Sequence, residues 1–159
     1  MSQLSEDDFS DLPAESWDDD SASVTPDQIR VLVVDDDQLM RRLLQRALTS
    51  LGFTQIDYAE NGAAGLAAVD RQTPTIIISD YHMPEMHGLQ LIEALRANDA
   101  LDQTVIIMLS AADDQRVIES ARDCGADTFL VKPFNRDDLK QLIDMLYHRF
   151  NCARIAWPD

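Results

Sequence analysis

The chain has 159 residues, enough for one domain with a real core, and its 45% apolar and 26% charged content is that of an ordinary globular protein. Acid outweighs base, 29 Asp and Glu against 13 Lys and Arg for a net charge of −16, which argues against nucleic acid or an anionic membrane as a direct partner. Two cysteines, Cys124 and Cys152, make neither a disulfide framework nor a zinc site. No stretch approaches the roughly 20 apolar residues of a transmembrane helix, and the acidic start "MSQLSEDDFSDL" lacks the basic and apolar regions of a signal peptide. A cytoplasmic protein with reduced thiols is expected.

In chain order, residues 1–28 come first, rich in Asp, Ser and Pro, and residues 1–29 hold nine of the acids and no Lys or Arg. Such a segment buries too little apolar surface to offset its ordering entropy, so a disordered acidic tail is expected. Leu4, Phe9, Leu12 and Trp17 interrupt the acids, a mixture able to dock on a partner, although a solubilising tail is the plainer reading. From Arg30 the pattern turns regular. "RVLVV" reads as a strand buried on both faces. "DQLMRRLLQRALTSLG" follows as a helix with Leu39, Leu43, Leu44, Ala47, Leu48 and Leu51 on one stripe, Asp37 as its cap and Gly52 as its left-handed terminator. "QIDYA" is the second strand, "NGAAGLAAVDRQ" a small-residue helix, "TIIIS" the third strand, "LQLIEALRA" the third helix and "TVIIMLS" the fourth strand. "DDQRVIESARDCG" gives the fourth helix and "DTFLV" the fifth strand. "NRDDLKQLIDMLYHRF" is the last helix, with Asn135 and Asp138 spaced as a capping box. "NCARIAWPD", residues 151–159, has no period and reads as a short extension.

Five strands alternating with five helices imply right-handed crossovers and a doubly wound parallel sheet, an α/β (βα)5 domain over residues 29–150. Ligands of such sheets bind at the carboxyl ends of the strands. Asp35, Asp36 and Asp37 follow strand one, Asp80 follows strand three, Ser110 closes strand four, and Lys132-Pro133 follows strand five. Strand two ends only in Ala59-Glu60, as suits an edge strand away from the site. Carboxylates gathered at one sheet edge need a cation or raised pKa values. Oxygen ligands so few in number suit Mg²⁺, which shares its shell with water and phosphate. A lysine and a hydroxyl facing them would donate to phosphate oxygens, and an aspartate among them can attack phosphorus and become an acyl phosphate.

The segments "VLVVDDDQ", "IIISDYHMPEMHG", "IIMLSA" and "FLVKPF" resemble, in order and at the strand ends, the signature segments of the response-regulator receiver domain of two-component signalling. The resemblance implies a flavodoxin-like fold with strand order 2-1-3-4-5 and a phosphorylation-dependent switch rather than an enzyme acting on other molecules. It implies Asp80 as phosphoacceptor, Asp36 as a direct Mg²⁺ ligand, Asp35 as a ligand through water and the main-chain carbonyl of His82 as a further ligand. Lys132 would pair with the phosphoryl group across a cis Lys132-Pro133 bond, Ser110 and Phe129 would form the switch pair, and His82 and Ala112 would tune hydrolysis. The partners implied are a sensor histidine kinase or histidine phosphotransfer protein as donor and a downstream protein or output domain as target. The output and dimerisation surface would be the fourth helix, fifth strand and fifth helix. Two alternatives remain beside this reading. One is a phosphatase with an aspartyl-phosphate intermediate, although His82 stands where such enzymes place a second Asp. The other is a receiver-like binding module without the chemistry.

Overall fold

A computed structural model of the chain describes residues 23–81, 83, 88–110, 119, 123 and 125–158. A central sheet is built from β2 (Arg30–Val34), β3 (Gln55–Ala59), β4 (Ile76–Asp80), β5 (Val105–Ser110) and β6 (Thr128–Val131). All pairs are parallel, in the order β3-β2-β4-β5-β6. With the five strands counted from β2, this is the order 2-1-3-4-5, and the strand ending in Ala59 is an edge as expected. The helices are α1 (Gln38–Ser50), α2 (Gly62–Arg71), α3 (Gly88–Arg96) and α4 (Arg136–Asn151), the last being the fifth helix of the sequence. The expected fourth helix, 113–125, lies outside the described residues apart from Glu119, Asp123 and Gly125.

The sheet sorts its side chains by the two-residue period of a strand. Val31, Val33, Ile76, Ile78, Val105, Ile107 and Leu109 face one way, onto Leu44 and Leu48 of α1 and Leu139, Ile143 and Leu146 of α4. Leu32, Val34, Ile77, Ile106 and Met108 face the other, onto Ala68 and Val69 of α2 and Leu91, Ile92 and Leu95 of α3. Two full cores explain why β2, β4 and β5 read as apolar runs. Caps fall where the side chains allow. The Asp37 carboxylate accepts from the Leu39 N–H, and Asn135 and Asp138 form a reciprocal box at α4. Gly52 has φ +108°, open to glycine without strain. At Gly125 (φ +117°) a Cβ would also lie 2.6 Å from Cγ of Arg96, whose guanidinium bonds the Gly125 and Leu101 carbonyls and the Asp127 carboxylate.

Two expectations need correction. Leu39 and Leu43 do not join the buried stripe of α1. They are 63% and 47% exposed, because Met40, Leu44, Ala47, Leu48 and Leu51 already fill the arc that meets the sheet. Nor are residues 23–28 and 151–158 parts of a tail and a loose extension, while the rest of the expected acidic tail, residues 1–22, lies outside the described residues. Ser23–Val24 forms a strand, β1, parallel to β7 (Arg154–Ile155), and the Ala156 N–H donates to the Val24 carbonyl at 2.7 Å. Residues 23–28, counted with the disordered segment by composition, therefore belong to the fold, with Pro26 buried in a 3₁₀ turn. Beyond β7 the Trp157 ring meets Phe53 edge-on, centroids 5.8 Å apart, and its Nε1–H donates to Asp144 at 3.0 Å. Lys140 Nζ sits 5.5 Å over the same ring. Trp157→Ala removes all three contacts, and equilibrium urea unfolding is expected to register a loss of about 1–3 kcal/mol.

Candidate functional site

Asp35, Asp36, Asp80, Ser110 and Lys132 stand at or just past the carboxyl ends of strands, and the backbone there is clamped to the neighbouring strand. The Asp35 N–H donates to Ala59 O at 3.0 Å, the Tyr81 N–H to Leu109 O at 2.9 Å, and the Lys132 N–H to Ser110 O at 2.7 Å. Asp80 is the last residue of β4, opposite Leu109 in register, and Ser110 is the last of β5. The side chains thus issue from a rigid edge. The peptide bond between Lys132 and Pro133 is cis, as expected.

The acids converge. Oxygens of Asp35, Asp36 and Asp80 lie within 4.8 Å of one another, with Asp35 and Asp80 buried and Asp36 exposed. Lys132 Nζ reaches into the cluster, 3.1 Å from Asp80 Oδ1 and 4.0 Å from Asp35 Oδ2. Among the described residues it is the sole ion-pair partner of either buried carboxylate. One oxygen of Asp35 accepts from the Asp37 N–H at 2.9 Å, and the Arg41 guanidinium holds the Asp35 carbonyl. The other oxygen, Oδ2, is buried with no hydrogen-bond partner. Burial pushes the Asp35 carboxyl up to about 6, the Asp37 N–H opposes this, the Asp80 charge adds to it, Lys132 opposes it and Asp36 adds to it. A buried carboxylate oxygen left unbonded beside two further carboxylates is a site short of positive charge. The donor set, all oxygen and partly open to water, fits Mg²⁺.

Ser110 is buried, and Phe129 on β6 is half-buried against the α2–α3 side of the core, opposite Met108. His82 and Ala112 lie outside the described residues. The sequence had singled out each described acid and the lysine. Arg41 was not among the candidates, since a guanidinium bonding a main-chain carbonyl has no signature beyond a basic residue one turn into a helix.

A doubly wound parallel sheet with an acidic, cation-seeking carboxyl edge defines the class of the molecule, and comparison with known proteins gives the family. Residues 31–144 match the response regulator receiver domain. The probable chemotaxis protein CheY of Rhizobium etli is 36% identical over 121 residues, covering 76% of this chain and 94% of that protein. The chemotaxis protein CheY of Pseudomonas aeruginosa is 32% identical, covering 77% of this chain and 99% of that one. Among solved structures, the chemotaxis response regulator CheY4 of Vibrio cholerae superposes with a TM-score of 0.70 at 30% identity, over 74% of this chain and 98% of its own. The chain belongs to the response regulator receiver domain family. Receiver domains are signalling proteins of two-component systems, generally not classed as enzymes, which work with histidine kinases and downstream targets and generally bind Mg²⁺ at an acidic pocket. Among the described residues no helix is long and apolar enough to cross a membrane.

Proposed function

We propose that this receiver takes a phosphoryl group onto Asp80 from a histidine kinase or a histidine phosphotransfer protein, and that the resulting charge resets a surface read by another protein. The observation that carries this is the buried Asp80 carboxylate 3.1 Å from Lys132, at the end of a clamped strand, beside the unbonded oxygen of Asp35. An Asp80 oxygen attacks phosphorus, the bond from phosphorus to the donor nitrogen or oxygen breaks, and the leaving group departs with that electron pair. Lys132, released from the carboxylate, turns to the new phosphoryl oxygens, and the Ser110 hydroxyl donates to another. Mg²⁺, held by Asp35, Asp36 and Asp80 with the His82 carbonyl as the expected further ligand, would supply the charge that lets the anions approach. Phe129 would follow Ser110 in the switch, and His82 and Ala112 would set how long the acyl phosphate lasts. The reading surface would be β6 and the outer face of α4 together with the fourth helix, and Met145, 56% exposed on α4, gives that face an apolar contact point. The same face would serve dimerisation of the phosphorylated form.

Incubation with a small-molecule phosphodonor and Mg²⁺ is expected to give one phosphoryl adduct by intact mass, lost on mild alkaline treatment as an acyl phosphate is. Chelating the metal with EDTA should suppress it by roughly two orders of magnitude or more, the scale of losing one main charge-stabilising group. Adduct formation indifferent to EDTA would overturn the assignment.

A further inference from the structure

The exposed side of α1 is unusual for this protein. Its 13 residues contain Arg41, Arg42 and Arg46 and no acid, in a chain of net charge −16. Leu39, Arg42, Leu43 and Arg46 follow at spacings of three and four, so they share one face. The two leucines are the outward pair noted above, and both arginines are exposed with no carboxylate paired to them among the described residues. A shallow groove of about 480 Å³ runs beside Arg42, Arg46 and Thr49, and a second of about 230 Å³ lies between Arg42 and Tyr58. Single exposed leucines are commonplace. An apolar pair flanked by uncompensated cations, with two grooves beside those cations, is a surface suited to an acidic chain that carries apolar side chains.

The protein carries such a chain. Residues 1–22 contain eight acids, no base, and Leu4, Phe9, Leu12 and Trp17. The segment leaves the described chain at Ser23, three residues before a residue placed at the end of α1. Pro26 packs beside Gly52, just past the C-terminal end of α1, where a Cβ on Gly52 would lie 3.3 Å from the proline Cβ. From there 22 residues can span up to about 70 Å, against a helix about 20 Å long. We propose that residues 1–22 dock intramolecularly on the exposed face of α1, acids against Arg42 and Arg46 and apolar side chains against Leu39, Leu43 and the grooves. The segment then occupies a face whose first residue, Leu39, comes three positions after Asp36 of the acidic cluster, and a partner wanting that face must displace it.

The test uses the full chain labelled with 5-fluorotryptophan. The sequence has two tryptophans, so fluorine NMR gives two lines, and Trp17→Phe assigns them. At low salt the Trp17 line is expected to stand away from its free position, with a reduced solvent isotope shift. It should return to the free position in the Arg42→Glu, Arg46→Glu double variant, and in wild type on raising salt from about 0.02 to about 0.5 M, where screening shortens to a few ångströms. The variant Asp18→Asn, Asp19→Asn, Asp20→Asn, which alters only the segment, should do the same, while the Trp157 line reports an undisturbed fold throughout. A Trp17 line at the free position in wild type at low salt would sink the proposal, as would one insensitive to the charge variants. A displacement that grows with protein concentration would also overturn it, since the segment would then be reaching a second copy.

Discussion

Replacing Asp80 by Asn is expected to remove phosphoryl uptake outright while leaving the fold standing. The amide has nearly the shape of the carboxylate, so β4 keeps its pairing with β2 and β5 and the neighbouring Tyr81 N–H keeps its bond to Leu109. What disappears is the nucleophile. An amide oxygen lacks the anionic charge that attacks phosphorus, and no other described carboxylate can substitute. Asp35 is buried behind the cluster with one oxygen tied to the Asp37 N–H, and Asp36 stands at the exposed rim. Intact mass after incubation with Mg²⁺ and a small phosphodonor should show no adduct for the variant and one for the wild type, with matching circular dichroism. An adduct of equal yield on the variant would move the acceptor elsewhere and undo the functional reading.

The second large effect concerns the acid that does no attacking. In the metal-free protein Asp35→Asn is expected to stabilise the fold at pH 7.5 by about 2–3 kcal/mol, the free-energy equivalent of a carboxyl raised from 3.8 to about 6. The sign follows from the direction of that shift. The native state holds the Asp35 proton more tightly than the unfolded chain does, so ionisation penalises folding fully above about pH 6 and the penalty fades as pH falls toward 3.8. The advantage of Asn over Asp should therefore shrink between pH 7.5 and pH 4. Asn can still accept from the Asp37 N–H, so the loop loses charge without losing its bond. Added Mg²⁺ should reverse the ranking. Wild type should gain stability by binding the ion, and the variant, missing the carboxylate proposed to reach the metal through water, should bind it about 10–100-fold more weakly. Thermal melts with and without the metal, across that pH range, read both effects. A variant less stable than wild type without metal would mean that the cluster is not short of positive charge.

These predictions draw on a site that could be read before any coordinates. The three inner strands β2, β4 and β5 announce themselves as apolar, largely β-branched runs because both faces are buried, the edge strands β3 and β6 less so, and the chemistry-bearing residues follow the strands directly. Knowing the strands therefore places Asp35, Asp80, Ser110 and Lys132 on one edge. Caps such as Asp37 and the Asn135–Asp138 box are equally local and equally legible. Less legible is whatever depends on distance along the chain. Two-residue strands have no period, so nothing in "SV" or "RI" announces that Val24 and Ile155 lie side by side. Arg96 and Asp127 are 31 residues apart, and their 2.7 Å contact fixes the approach to β6 without any motif. The outward turn of Leu39 and Leu43 was hidden for another reason. A stripe of six apolar residues is wider than the arc that one helix presents to a sheet, and the pattern alone does not say which edge of the stripe is left over.

The pairing of β1 with β7 closes the described chain from Ser23 to Ile155 into a ring in all but covalent terms. Fraying, which in most domains begins independently at either end of the fold, must here loosen β1 and β7 together, since each is the other's neighbour. Whatever tugs on the amino-terminal side is therefore felt at the indole beyond β7 and at the helix beneath it, the far side of the molecule from the acids.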